Sequence, residues 1–104
     1  MIRVGSKMHV FKGYYDEYKK RHDKLWPEMR EQLAAHGYHN YSIFLDEETG
    51  DLFSYVEVEN TVLADEMSKM EICKKWWHYM KDIMETNPDE SPVSKPLKDV
   101  FFLS

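Results

Sequence analysis

Two runs of alternating apolar residues flank Glu47-Glu48-Thr49-Gly50, and this pattern restricts the fold more than any other stretch of the chain. Ahead of the turn, Tyr41, Ile43 and Leu45 fall on one face of a strand over 38–46, with Asn40, Ser42 and Phe44 on the other. Beyond it, Leu52, Phe53, Tyr55, Val56 and Val58 make the return strand. Residues 38–59 therefore read as an antiparallel hairpin closed at Gly50.

The segments around the hairpin alternate in period. Residues 2–11 set Ile2, Val4, Met8 and Val10 on one face and Arg3, Lys7 and His9 on the other, the period of a half-buried strand. After Gly13 a helix begins near Tyr14, with Tyr14, Tyr18, His22 and Leu25 at spacings of three or four. Pro27 is poorly placed inside a continuous helix and biases Trp26 away from helical angles, so the spacing predicts a break and restart there. The second segment uses Met29, Leu33 and Ala34 as its apolar face and stops at Gly37. Asn60 suits the N-cap of a helix over 61–70, and a further run carries Ile72, Trp76, Tyr79, Met80 and Ile83 on one stripe. Residues 87–96 hold three prolines and must be irregular, as a linker, a lid or an arm onto a neighbour, and 97–103 reads as a closing strand. The order β, α, β, β, α, β is the ferredoxin-like arrangement of the α+β class: a four-stranded antiparallel sheet with its helices on one face. The other face needs cover, which two sheets packed face to face in a dimer would supply.

Composition sets further bounds. A chain of 104 residues builds one domain, here 1–104, around one core. Three Trp, seven Tyr and five Phe are a heavy aromatic load for that size, pointing to a pocket or subunit interface and hence to a homo-oligomer. A net charge of −5, with no basic run longer than Lys19-Lys20-Arg21, disfavours nucleic-acid binding. Cys73 is the single cysteine, and the N-terminus lacks the apolar core of a signal peptide, so the expected location is cytoplasmic. No stretch approaches the roughly 20 apolar residues of a membrane span, and none is expected to bind a membrane. His36 and His39 are separated by Gly37 and have no neighbouring His or Cys, so no metal site is expected.

Three places carry residues with more than one reading. Tyr18 and His22 stand four apart and share one helix face; an imidazole gives or takes a proton near neutral pH, but a His between Arg21 and Asp23 also suits a solvated surface. Trp76 and Trp77 point about 100° apart on a helix, so both cannot centre one apolar stripe. Either one lies in the core and the other in a dimer interface, or they form a stacking wall for a flat apolar face such as that of a sugar. Tyr41 either packs in the core or points its hydroxyl into a cavity.

Four segments in order resemble one family, the L-rhamnose mutarotases. They are Glu17-Tyr18-Lys19-Lys20-Arg21-His22 running on to Trp26-Pro27-Glu28; His36-Gly37 with Asn40-Tyr41-Ser42-Ile43; Cys73-Lys74-Lys75-Trp76-Trp77-His78-Tyr79-Met80; and Asn87-Pro88-Asp89-Glu90-Ser91-Pro92-Val93. The ending Val100-Phe101-Phe102-Leu103 extends the likeness to nearly the whole chain. The resemblance implies a cofactor-free isomerase that interconverts the α and β anomers of L-rhamnose on a ferredoxin-like fold paired as a dimeric α/β barrel. By the same resemblance His22 is the proton donor, and Tyr18, Tyr41, Trp76 and Trp77 contact the sugar. The fold class also hosts cofactorless oxygenases and haem-handling proteins, and a non-catalytic sugar-binding dimer is a further alternative.

Overall fold

The computed structural model describes residues 1–104. The chain runs β1 (Ile2–His9), α1 (Tyr15–Asp23), α2 (Pro27–Ala35), β2 (Tyr38–Asp46), β3 (Asp51–Val58), α3 (Thr61–Met67), α4 (Glu71–Met80) and β4 (Lys95–Leu97). The sheet order is β2-β3-β1-β4 with every neighbouring pair antiparallel, which is the ferredoxin-like topology expected from the sequence.

Register assigns the two faces. Leu52 pairs with both Met8 and Leu45, and Ser54 with both Ser6 and Ile43, so these residues share the face that the helices cover. Leu52, Ser54, Val56 and Val58 are buried there. The core lies between that face and the helices, joining Val10 and Leu52 to Met29, Met67, Ile72, Trp76 and Met80. Val10, Ile83 and Met84 complete it beyond the regular elements, with Val10 and Met84 paired in an isolated bridge. On the opposite face, Phe44 pairs with Phe53 and Phe53 with Lys7, while Gly5 sits between Tyr55 and Leu97.

The helix signals act as expected. Trp26 is extended (φ −58, ψ 135) and Pro27 opens α2 at its first turn, so α1 and α2 are separate helices. Gly37 adopts φ +78 and ends the segment after α2, where a Cβ would also lie 3.1 Å from Glu59. The Asn60 side chain accepts from the Leu63 amide at 2.7 Å and caps α3. Helix α4 stops at Met80 rather than at Ile83, and Ile83 reaches the core from the turn that follows.

The closing strand differs from expectation. It spans Lys95–Leu97 and not 97–103; residues 98–104 have no regular structure, and Val100, Phe101, Phe102 and Leu103 are exposed. An apolar run was a misleading guide here because β4 is an edge strand. Pro96 is tolerated on such an edge, where one side of the backbone needs no partner. Arg3 holds the tail in place, paired with Asp99 and with its guanidinium 4.3 Å from the Phe102 ring centroid.

Candidate active site

Tyr18, His22 and Trp76 meet between α1 and α4. Acidic Asp16 and Glu17 in the first turn and basic Lys20 and Arg21 in the last suit the dipole of α1, whose one buried residue is Tyr18. The His22 ring stacks on the Tyr18 phenol at 4.3 Å between centroids, and meets the Trp76 indole edge-on at 5.4 Å. Trp76, 7 % exposed, lies on the apolar stripe of α4.

His22 Nδ1 lies 3.0 Å from the Tyr18 carbonyl oxygen. A carbonyl only accepts, so Nδ1 carries the hydrogen and Nε2 is left as the nitrogen open to a ligand. Burial lowers the imidazole pKa below its ordinary 6.5, a larger effect than the opposing pull of the Tyr18 carbonyl and of Asp23. At neutral pH the ring is therefore uncharged, with a lone pair on Nε2.

Tyr41 lies near Tyr18, next to a bulge in β2. The β2–β3 register shifts between His39 and Ser42, and Asn40 takes φ +50. Tyr38 and Tyr41 are three apart, so in a regular strand they would face opposite ways; the bulge lets both face the helices, and their rings stack at 6.2 Å. Tyr41 is 46 % exposed, yet burial raises its phenol pKa to about 12. Burial, with the neighbouring Tyr41 phenol adding to it, also drives the Tyr18 pKa upward. Both phenols are neutral hydrogen-bonding groups at any ordinary pH.

Trp77 is half-buried against the core, and none of the ring contacts around His22 involves it. It follows Cys73 by one turn, and the Cys73 thiol neighbours Tyr38 and Tyr41, which puts Trp77 on the Tyr41 side of α4. Burial pushes that thiol up to about 11, so Cys73 is a packing residue and not a thiolate nucleophile.

Two aromatic residues join the cluster without having been singled out as site residues. Trp26 meets Trp76 edge-on at 5.0 Å, and Tyr79 lies 5.5 Å from Trp26 and 5.6 Å from Trp76. Spacing carried the signal in both cases: Trp26 follows His22 by four residues, and Tyr79 follows Trp76 by three. The other four histidines take separate partners: His9 faces Asp51, His36 the Gln32 carbonyl, His39 Glu59 and His78 Glu90.

The arrangement is an uncharged, aromatic-walled site around one imidazole, suited to a neutral ligand with apolar faces and hydroxyl groups. Comparison with known proteins points the same way. The model of the L-rhamnose mutarotase family matches residues 3–103. A curated L-rhamnose mutarotase of Shouchella clausii is 61 % identical over 104 residues, covering both chains completely. The crystal structure of an L-rhamnose mutarotase from Formosa agariphila superposes with a TM-score of 0.92 at 46 % identity, covering all of both chains. A crystallised antibiotic biosynthesis monooxygenase matches at a TM-score of 0.64 and 13 % identity, over 96 % of this chain and 99 % of the other, which is a likeness of fold alone. From the full-length family match and a relative more than half identical along every residue, it follows that this chain belongs to the L-rhamnose mutarotase family.

Proposed function

We propose that this protein is an isomerase of the racemase and epimerase type that interconverts the α and β anomers of L-rhamnose, with His22 moving the proton. The observation that carries this reading is the state of His22: Nδ1 committed to the Tyr18 carbonyl, the ring neutral and packed against Tyr18 and Trp76, and Nε2 without a protein partner.

Anomerisation opens the sugar ring and closes it on the other face of the aldehyde. The anomeric hydroxyl must lose a proton while the ring oxygen gains one, and both oxygens are bonded to the same carbon. Nε2 takes the proton from the anomeric hydroxyl; as the alkoxide electron pair becomes the carbonyl bond, the ring carbon–oxygen bond breaks and the imidazolium delivers the proton to the leaving ring oxygen. After rotation about the bond to the aldehyde carbon, the same steps in reverse give the other anomer. His22 is in this sense the proton donor to the ring oxygen, after first acting as base. No electron moves and no group is transferred, so the reaction requires no cofactor. The reaction also proceeds in water unaided, and each 1.4 kcal/mol of barrier reduction yields about tenfold in rate.

The remaining residues hold the sugar. Tyr18 and Tyr41 hydrogen-bond its hydroxyls as neutral phenols, and Trp76 and Trp77 offer apolar surface to its C–H face and methyl group. The exposed face of the sheet is covered by a second copy, so the working form is a homodimer shaped as an α/β barrel. No helix is long and apolar enough to cross a membrane, and the expected location is the cytoplasm.

The test is anomer exchange of fresh L-rhamnose, followed by saturation-transfer NMR or by decay of optical rotation. His22→Ala is expected to lower the catalysed rate by roughly 10²–10⁴-fold, the usual range for a general acid–base group. An unchanged rate removes His22 from the mechanism. Oxygen consumption with an aromatic substrate would instead favour the oxygenase alternative.

A further inference from the structure

Helix α1 carries Tyr18 and His22 and packs Tyr15 and Tyr18 on the core, yet has few polar ties to the rest of the molecule. Tyr18 is its one buried residue. Of its polar side chains only that of Arg21 hydrogen-bonds another part of the fold; Lys19 pairs with Asp23 and the His22 ring with Tyr18, both inside the helix.

Arg21 concentrates several contacts in one guanidinium. Nη1 donates to the Tyr79 carbonyl at 2.6 Å and to Asp82 Oδ1 at 2.9 Å, and Nη2 to Asp82 Oδ2 at 3.3 Å. Nε donates to Glu17 at 2.8 Å, which holds the side chain in line along α1. The group also lies 4.3 Å from the Tyr79 ring centroid, and its side chain is 11 % exposed. The Tyr79 carbonyl is in the last turn of α4, where carbonyls have no partner within the helix, so Arg21 also completes that helix end. Through Tyr79 the contact continues to Trp26 and Trp76.

We propose that Arg21 is a positioning residue for the anomerisation: its fork fastens α1 to the C-terminal end of α4, and so holds the adjacent His22 ring against Trp76 in the orientation that meets the sugar. The proposal rests on the role given to His22 above. Arg21 itself touches no reacting atom. A displacement of about 1 Å at a catalytic group can cost 10²-fold in rate, which is the scale on which such a fastening acts.

The experiment measures kcat and KM for L-rhamnose anomer exchange, in excess of the uncatalysed rate, for Arg21→Ala, Arg21→Lys, Asp82→Ala and the Arg21→Ala/Asp82→Ala pair, with folding checked by near-UV circular dichroism. Arg21→Ala is expected to lower kcat about tenfold to a hundredfold with KM changed no more than about twofold, because the sugar-stacking rings stay in place. Arg21→Lys restores only part of the rate, since an ammonium has three donors and no planar fork against the four hydrogen bonds of the guanidinium. Asp82→Ala, at a side chain 64 % exposed, lowers kcat by several-fold and adds nothing further in the Arg21→Ala background. Folded Arg21→Ala and Asp82→Ala proteins with the parent kcat overturn the proposal, even if both melt earlier. Should Arg21→Ala fail to fold, Asp82→Ala decides alone, by the same criterion. His22→Ala separates the two levels: if it keeps the parent rate, the role of His22 falls and this proposal with it; if it is inactive while the Arg21 and Asp82 variants run at full kcat, only the fastening falls.

Discussion

The two faces of the sheet differ sharply. On one, Leu52, Ser54, Val56 and Val58 lie under helices that bring Met29, Met67, Trp76 and Met80 against them, and the layer is closed. On the other, Phe44 and Phe53 stand paired and open, with Tyr55, Gly5 and Leu97 in the next row. The neighbouring tail adds exposed Val100, Phe101, Phe102 and Leu103. A single chain of this size covers one face of a four-stranded sheet with its own helices, and the second face has no cover within the chain. Every titratable group that the proposed mechanism uses lies on the helix side.

Substitutions on the two faces should therefore fail in different ways. The largest effect on folding is expected from Trp76→Ala, which empties the centre of the helix-side layer. Loss of a buried Trp costs about 3–5 kcal/mol, a large share of the 5–15 kcal/mol that stabilises a typical domain. Chemical denaturation measures it, and a stability loss under about 1 kcal/mol would mean that Trp76 is not a core residue. Phe44→Asp is the counterpart on the open face. At 68 % exposure the change should barely alter the stability of the isolated chain, by no more than about 0.5 kcal/mol. In a dimer it would bury an unpaired carboxylate at a cost of about 3–5 kcal/mol, weakening association at least hundredfold. Sedimentation velocity distinguishes the two, and an unchanged oligomer would place the interface elsewhere.

The smallest effect is one of pH. Since burial lowers the His22 pKa, the neutral, active ring persists to more acidic conditions than an ordinary histidine allows. The midpoint of the acid decline in the catalysed rate should lie below 6.5; a midpoint above 6.5 would show that burial does not dominate at that ring. Stability follows the same sign. The unfolded chain takes up the proton first, so this histidine's contribution to stability diminishes as pH drops below 6.5, toward its lower folded pKa.

Legibility in the sequence tracked how local each cause was. The break at Trp26-Pro27, the stop at Gly37 and the cap at Asn60 follow from backbone sterics and short-range hydrogen bonds, and each stands where the residues placed it. The face shared by Tyr41, Ile43 and Leu45 was likewise legible from period alone. The bulge that also turns Tyr38 inward was not, because it depends on two residues of β2 sharing one position opposite β3. The tail misled for a related reason: Val100-Phe101-Phe102-Leu103 has strand-like composition, but pairing had already been taken up at Lys95–Leu97.

The sequence by itself determined the order of elements, the apolar faces of β1 and β2 and the family, since these depend on residue type and spacing along the chain. Tertiary structure decided what the site residues do to one another. It set the His22 tautomer through the Tyr18 carbonyl, made Trp76 a core residue while Trp77 stayed half-buried, and joined Arg21 to Tyr79 and Asp82 across 58 and 61 residues of chain. Burial and contacts between segments distant in sequence exist only once the layers have packed, so no local pattern can specify them.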